Sequence, residues 1–544
     1  MSQRVGPGCP KGSVPVGRVG PFGTEGVGSS WRGRFLLAHL GQKGSVPFVP
    51  PFAPLWRLVE ILALYASFLL QKVAQQATKW YHLAKLTYYS DYTIKFGAAM
   101  RRKVDKQLDD WVNANTSRPL LVRGSRRVGK TYAIKRLGQD KFGSGYFAYC
   151  DFQTNLDQLT QIFSATTDIE RIVSDLSLFL HQDIIPGKTL IAFDEIQLCE
   201  KALNSLRFFS GSKYHVVATG SQLGVTLRNR TLPYPSDIDQ LDLHPMDFEE
   251  FLWAIGEELL ADGIRSAVHD RRQFLLHEEA MGLYRQYIVV GGMPQVVLSH
   301  VEDRDYTMVR TQQAEVDRTY IADIAMYAPN DSVVHTLAVW DSIPKQLARQ
   351  TTRKFKYTEV ASGGRERRYR APLAWLEAAD LVSLNYQTNE TAPPLTARDD
   401  GAFFKVYLAD TGLMFYKFNL GAEAYLDESL RQALSARFRG ALAENYIMQA
   451  LTANSLQPFY WMQGSTSQYE VEFVLQTRHG GLVPIEVKSG RNVSSASLRN
   501  FVDKSKAPYA IRFSSKNIGY EGGILSLPLY AAYCVDEQSL IMVG

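Results

Sequence analysis

One stretch constrains this chain more than any other: PLLVRGSRRVGKT, from Pro119 to Thr131. A short apolar strand, Leu120 to Arg123, runs into GSRRVGKT, and a helical pattern follows to Gly138. The loop fits G-x-x-x-x-G-K-[ST] in full, with Gly124, Gly129, Lys130 and Thr131 in the required places. Glycines at those points let backbone N–H groups wrap a chain of phosphates, and the helix behind them presents its positive N-terminus. Lys130 would reach the β/γ-phosphates and the Thr131 hydroxyl would ligate Mg²⁺. Ser125, Arg126, Arg127 and Val128 complete the cradle. The expected ligands are ATP and Mg²⁺.

A loop of this kind works with an acidic strand end, and TLIAFDEIQ, Thr189 to Gln197, supplies one about sixty residues downstream. The apolar run Leu190 to Phe193 reads as a buried strand whose tip delivers Asp194 to the Mg²⁺ shell and Glu195 to an attacking water. HVVATGS, His215 to Ser221, is a further apolar strand ending in small hydroxyl residues. In ATPases that insert a strand between the P-loop and acidic strands, this position carries a polar sensor of the γ-phosphate. Ser221 is the candidate here, with Thr219 as the alternative. Strand-like Tyr146 to Tyr149 and helical segments near 167–181 and 200–209 complete an alternation that implies a parallel sheet with helices on both faces. The expected fold class is therefore α/β: an ATPase core over 100–240, followed by a helical lid over 241–330.

Charge narrows the partners less than it first suggests. The net charge of +5 is uneven: residues 1–99 hold eleven Lys/Arg against three Asp/Glu, so the remainder carries −3. Any nucleic-acid site must then be a local basic patch rather than the whole body. The four cysteines, Cys9, Cys150, Cys199 and Cys534, show neither metal-ligand nor disulfide-framework spacing, and a reducing cytoplasm is the expected compartment.

Residues 1–50 contain eleven Gly, six Pro and one acidic residue, with GSVP at 12–15 and again at 44–47. That composition buries too little apolar surface to offset chain entropy. The 1–99 extension is expected to be largely disordered, with a helix near 55–86. LWRLVEILALYASFLL, Leu55 to Leu70, carries Arg57 and Glu60 and leaves ten uncharged residues after the glutamate, against about 20 for a span, so no stable membrane span is expected.

Beyond the lid, GGMP at Gly291–Pro294 reads as a helix stop with turn chemistry. Pro344, inside SIPKQLARQ, marks a kink or a restart. A helix around Leu373–Ala379, then Leu381–Tyr386 and Phe403–Leu408, suits a winged-helix-like region over 331–430. Arg349, Arg353, Lys354, Lys356, Arg365, Arg367, Arg368 and Arg370 cluster there as a candidate phosphate-facing patch or a solvated charged face. DNA or a protein is the expected partner of this half, and a homo-oligomer is an expected state. Arg228, Arg230, Arg318 and Arg349 are all candidates to donate an arginine to ATP hydrolysis.

With these motifs in order, the chain resembles a prokaryotic family of AAA-type ATPases that carry a C-terminal domain of unknown function, partly similar to restriction endonucleases. The resemblance rests on GSRRVGKT, LIAFDEIQ, VVATGSQLG, HPMDFEEFLWAIG, GGMP, DSIPKQLAR with KFKY, FFKVYLADTGLM, ALAENYIMQAL and VPIEVKSG, and covers about residues 100–510. It implies an ATP-binding core with Mg-dependent hydrolysis. It also implies a small α/β endonuclease-like domain over 431–544, in which Glu444, Glu472, Glu486 and Lys488 occupy the positions of a metal-dependent nuclease site. One departure is visible: EVEF places Glu472 where the motif usually has aspartate. The extra methylene displaces the carboxylate, and Mg²⁺ demands oxygen distances of about 2.0–2.1 Å.

Overall fold

β1 (Leu120–Arg123) takes its place from its burial: Leu120, Leu121 and Val122 are all shielded, as a strand covered on both faces requires. The alternation is physical. Leu121 packs in one core with Ala148, Ile191 and Phe193, whereas Leu120 and Val122 pack in the other. Around β1 the computed structural model assembles β2 (Phe147–Asp151), β3 (Leu190–Asp194), β4 (His215–Gly220) and β5 (Asp239–Asp242) in the order β2-β3-β4-β1-β5. Every pairing is parallel. β4 therefore lies between the P-loop strand and the acidic strand, as the sequence leads one to expect.

The structure describes residues 100–114, 116–221, 223–224, 236–349, 353–398, 403–463, 469–490 and 496–542. The 1–99 extension with its helix near 55–86, and Arg228 and Arg230, lie outside the described residues. Helices α1 (Lys103–Asn113), α2 (Lys130–Leu137), α3 (Leu156–Ala165), α4 (Ile169–Leu180) and α5 (Glu200–Phe209) lie in the same stretch of chain as this sheet. No helix among the described residues is long and apolar enough to cross a membrane.

Where the lid is expected, the chain forms α6 (Phe248–Ala254), α7 (Glu258–His269), α8 (His277–Val290), α9 (Pro294–Asp303) and α10 (Tyr306–Tyr327). Asp247 starts α6 with a capping box, accepting from the Glu250 N–H while the Glu250 carboxylate accepts from the Asp247 N–H. α10 is the long member, 22 residues, or about 33 Å of rod.

GGMP is a joint. Gly291 leaves α8 at φ 81°, and the Gly292 N–H donates to Asp410 Oδ2 at 2.6 Å while the Gly292 carbonyl accepts from Met246 N–H at 2.7 Å. The joint is built from backbone at close range. A Cβ on Gly292 would sit 1.9 Å from the Met246 oxygen, and one on Gly412 would sit 2.3 Å from the Val290 oxygen. Asp410 caps α13 (Thr411–Lys417) through the Leu413 N–H at 2.7 Å. Burial pushes its carboxyl up to about 6, against the pull of the N–H groups it accepts from.

Past α11 (Val333–Arg349), which runs through Pro344, and α12 (Glu366–Ala378) lies a second sheet. Its strands are β6 (Val382–Thr388), β7 (Phe404–Leu408), β8 (Phe459–Met462), β9 (Glu470–Gln476), β10 (Leu482–Val487), β11 (Ala510–Ser514), β12 (Gly519–Glu521) and β13 (Ile524–Pro528). The order is β12-β13-β11-β10-β9-β8-β6-β7, with mixed parallel and antiparallel pairs. The helix and two-stranded hairpin of the winged-helix expectation are present as α12, β6 and β7, but the hairpin does not stand apart. β6 pairs in parallel with β8 from Tyr386 to Thr388, so the hairpin is one end of the C-terminal sheet and crosses the boundary expected near 430. The reason is burial: Asn385 and Thr388 are enclosed, and the Asn385 side chain donates to the Glu472 carbonyl at 3.1 Å. α14 (Ala436–Ala453) is buried around nearly its whole circumference, as a central core helix is. Its Asn445 and Gln449 satisfy the backbone of Leu408 and Thr411. α15 (Ala496–Ser505) packs against the sheet through Leu498 and Phe501.

Candidate nucleotide site

The residues 124–131 form a tight loop whose shape is set by three left-handed residues. Gly124 has φ 144°, Arg127 φ 69° and Gly129 φ 101°. Only glycine suits Gly124, because a Cβ there would lie 2.1 Å from the Leu243 oxygen. Arg127 is a non-glycine residue held in the αL region, the conformation from which anion-binding nests of backbone N–H groups are made. The loop is braced from below by buried Arg102, which donates to the carbonyls of Val128 at 2.9 Å and His244 at 2.8 Å and pairs with Glu250 at 2.9 Å. Ser125 and Val128 are buried.

Lys130 is buried, and its Nζ donates to the Gly124 and Ser125 carbonyls at 3.0 and 2.8 Å. Burial lowers its pKa, while the charges of Glu195, Asp194 and Asp380 work to raise it. Thr131 Oγ1 donates to Asp194 Oδ1 at 3.1 Å, and Tyr149 donates to Asp194 Oδ2 at 2.6 Å. A hydroxyl and a carboxylate in contact at the foot of a phosphate loop suit Mg²⁺, which keeps most of its shell as water and phosphate oxygen. The donor set fits the ion.

β3 ends at Asp194, and Glu195 turns off it with φ 56°. The Thr219 hydroxyl holds that turn, accepting from the Glu195 N–H at 3.1 Å and donating to Asp194 Oδ1. Ser221 donates to Glu195 Oε2 at 2.5 Å, and Gln197 Nε2 donates to the same oxygen at 2.5 Å. The two hydroxyls have separate tasks, one on each acid. Burial works to raise the Glu195 pKa, but the Lys130 charge and these hydrogen bonds override it and hold the carboxyl below its ordinary value.

Sequence reasoning missed the residues that α10 brings to the loop. Asp323 Oδ1 pairs with Arg126 Nη1 at 2.6 Å, Glu315 with Arg127 Nη2 at 3.1 Å, and Tyr320 donates to the Arg126 carbonyl at 3.1 Å. Gln295 of α9 accepts from Arg127 Nη1 at 2.8 Å. No local motif signals them, since Asp323 lies 197 positions from Arg126. Among the earlier arginine candidates, Arg318 is exposed and paired with Glu315 at 3.0 Å, and Arg349 is the exposed last residue of α11.

The C-terminal acids divide. Lys488 bridges Glu472 at 3.3 Å and Glu486 at 3.2 Å, which brings those three together. Glu444 is committed elsewhere, to Arg353, to Lys405 at 3.6 Å and to the Tyr407 hydroxyl at 3.2 Å. Among the described residues no group of three or more His, Cys, Asp or Glu side chains is arranged to hold a metal. Burial raises the Glu486 pKa, opposed by Lys488 and reinforced by Glu472. With one carboxylate tied up and the other two sharing a lysine, wild type and Glu486→Ala are expected to leave plasmid and single-stranded DNA equally intact with Mg²⁺ or Mn²⁺ and ATP; cutting by wild type alone would reverse that reading. The basic cluster divides as well. Arg353 turns inward to Glu444, while Arg365, Arg367, Arg368 and Arg370 remain exposed around the start of α12.

Residues 116–252 match the AAA domain family. Residues 281–424 and 439–531 match two domains of unknown function, DUF8612 and DUF4143. No curated protein matches the chain. Similar solved structures include the Walker-type ATPase of Pyrococcus abyssi, at 13% identity over 59% of this chain and 96% of that one, with a TM-score of 0.38. The Orc1 protein of Aeropyrum pernix in complex with DNA is similar at 15% identity over 58% and 88%, with a TM-score of 0.25. Cdc6p from Pyrobaculum aerophilum is similar at 12% identity over 62% and 96%, with a TM-score of 0.23. The family match and the geometry of the loop meet on the same segment: residues 116–252 match an AAA domain and contain the phosphate-type loop 124–131.

Proposed function

We propose that this protein is a Mg-dependent ATPase that passes its nucleotide state from the P-loop to the C-terminal module through α10. The observation that carries the reading is the convergence of Lys130, Thr131, Asp194, Glu195 and Ser221 at the carboxyl ends of β1, β3 and β4. ATP phosphates entering the loop would draw Lys130 Nζ away from the Gly124 and Ser125 carbonyls. Mg²⁺, held by Thr131 and Asp194, would supply charge neutralisation at the phosphates. Glu195, kept ionised by Lys130 and oriented by Ser221 and Gln197, would align the attacking water and accept its proton at the carboxylate.

α10 is suited to the relay because two sets of its residues are tied to different neighbours. Glu315, Tyr320 and Asp323 hold the P-loop. Arg310 donates to the Leu420 carbonyl at 3.1 Å, Gln313 to the Gly412 carbonyl at 3.2 Å, and Asp317 pairs with Lys417 at 3.1 Å. A loop that reshapes around phosphates would pull on a helix that is also fastened to α13 through Gln313 and Asp317. The exposed arginines of α12 support DNA or an acidic protein surface as the partner that receives the movement. Phosphate release from ATP by the full chain tests the reading: turnover is expected with Mg²⁺ and not with EDTA.

A further inference from the structure

We infer that Arg126, inside the P-loop itself, is the arginine that stabilises charge on the transferred phosphoryl group, with Asp323 and Tyr320 of α10 as its positioning residues. The inference rests on the ATPase reading above and answers a question that reading leaves open. Phosphoryl transfer concentrates negative charge on the equatorial oxygens, and an arginine delivered there accelerates hydrolysis greatly. Such an arginine can come from the same chain.

Three observations favour Arg126. It is the third residue of the loop 124–131, so its side chain leaves from the segment that would wrap the terminal phosphates. Its orientation is imposed from outside. Asp323, with 4% of its side chain exposed, grips Nη1 at 2.6 Å, and Tyr320 fixes the backbone through the Arg126 carbonyl. Lastly, Nη1 is the one guanidinium nitrogen of Arg126 with a hydrogen bond among the described residues, and a guanidinium carries five N–H donors, so Nε and Nη2 remain for phosphate oxygens. A third of the side chain is exposed, so it is not sealed in the core. Arg127, by contrast, spends both Nη groups on Gln295 and Glu315.

The consequence joins catalysis to the relay. The helix that reads the loop also aims its arginine, so displacing α10 would withdraw Asp323 and slow hydrolysis without emptying the site.

The experiment measures kcat, ADP affinity and trapping of ADP with aluminium fluoride, a mimic of the transferred phosphoryl, for wild type, Arg126→Ala, Arg126→Lys and Asp323→Asn. Arg126→Ala is expected to lower kcat by about 10³-fold and to abolish fluoride trapping, with ADP affinity within about threefold of wild type. Arg126→Lys should recover little, because a point charge cannot reproduce the planar fork. Asp323→Asn should lower kcat by about tenfold and weaken trapping, since it loosens the arginine without removing it. Wild-type turnover with Arg126→Ala within tenfold of it, or loss of ADP binding in parallel with kcat, overturns the assignment and leaves the ATPase reading standing. No turnover by wild type overturns both.

Discussion

Lys130→Met is expected to remove ATP binding and turnover together, while the protein stays folded. The lysine is buried among Glu195, Asp194 and Asp380, whose negative charges all act on it. Methionine fills similar space without the charge. Truncating one member of a buried charged set costs roughly 2–5 kcal/mol, which is about 30- to 5,000-fold in nucleotide affinity. A second effect follows from the same contact. Glu195 is held below its ordinary pKa chiefly by Lys130, so without that charge burial would push its carboxyl upward and leave it a poorer acceptor at neutral pH. Titration with a fluorescent ATP analogue, alongside phosphate release, checks both effects. Wild-type affinity in Lys130→Met would mean that the phosphates bind elsewhere.

Gly292→Ala is expected to be the most disruptive added methyl among the glycines of the described residues. Its Cβ would lie 1.9 Å from the Met246 oxygen and 2.9 Å from the Met246 carbon and nitrogen, all backbone atoms that no side-chain rotation relieves. Moving the turn would stretch the Gly292 N–H to Asp410 bond of 2.6 Å and the return bond from Met246 of 2.7 Å, leaving a buried carboxylate short of a donor. Overpacking plus an unmet buried hydrogen bond should destabilise by at least about 3 kcal/mol. Gly282→Ala is the control. It lies in α8, the helix that leads into the same turn, with nothing within 4 Å of its Cβ, and should stabilise by about 0.5–1 kcal/mol. Thermal unfolding of the three proteins separates the cases, and equal melting of Gly292→Ala and wild type would refute the joint.

That joint also marks where the sequence could be read and where it could not. GSRRVGKT and LIAFDE are local: a strand, a turn and a helix start lie within a few residues of one another, and their chemistry follows from spacing. The alternation of Leu120, Leu121 and Val122 likewise fixes a doubly covered strand. GGMP reads as a turn from composition, but what it turns against, Asp410, lies 118 positions away and leaves no mark on the motif. Asp323 is hidden for the same reason. β6 and β7 read as a free wing because a hairpin looks alike whether it stands alone or pairs with β8; only the burial of Asn385 and Thr388 decides it. Glu444 shows the converse limit. The resemblance to an endonuclease-like core puts it in a metal site with Glu472 and Glu486, yet Arg353 and Lys405, recruited from other elements, occupy it.

The most direct measurement is steady-state phosphate release from Mg-ATP by wild type and Glu195→Gln, with ATP binding followed in parallel. The substitution keeps the shape of the side chain and its contacts to Ser221 and Gln197 but removes the proton acceptor. Turnover should fall by about 10²- to 10⁴-fold while ATP remains bound. Equal turnover in the two proteins, or none in wild type, would contradict the account.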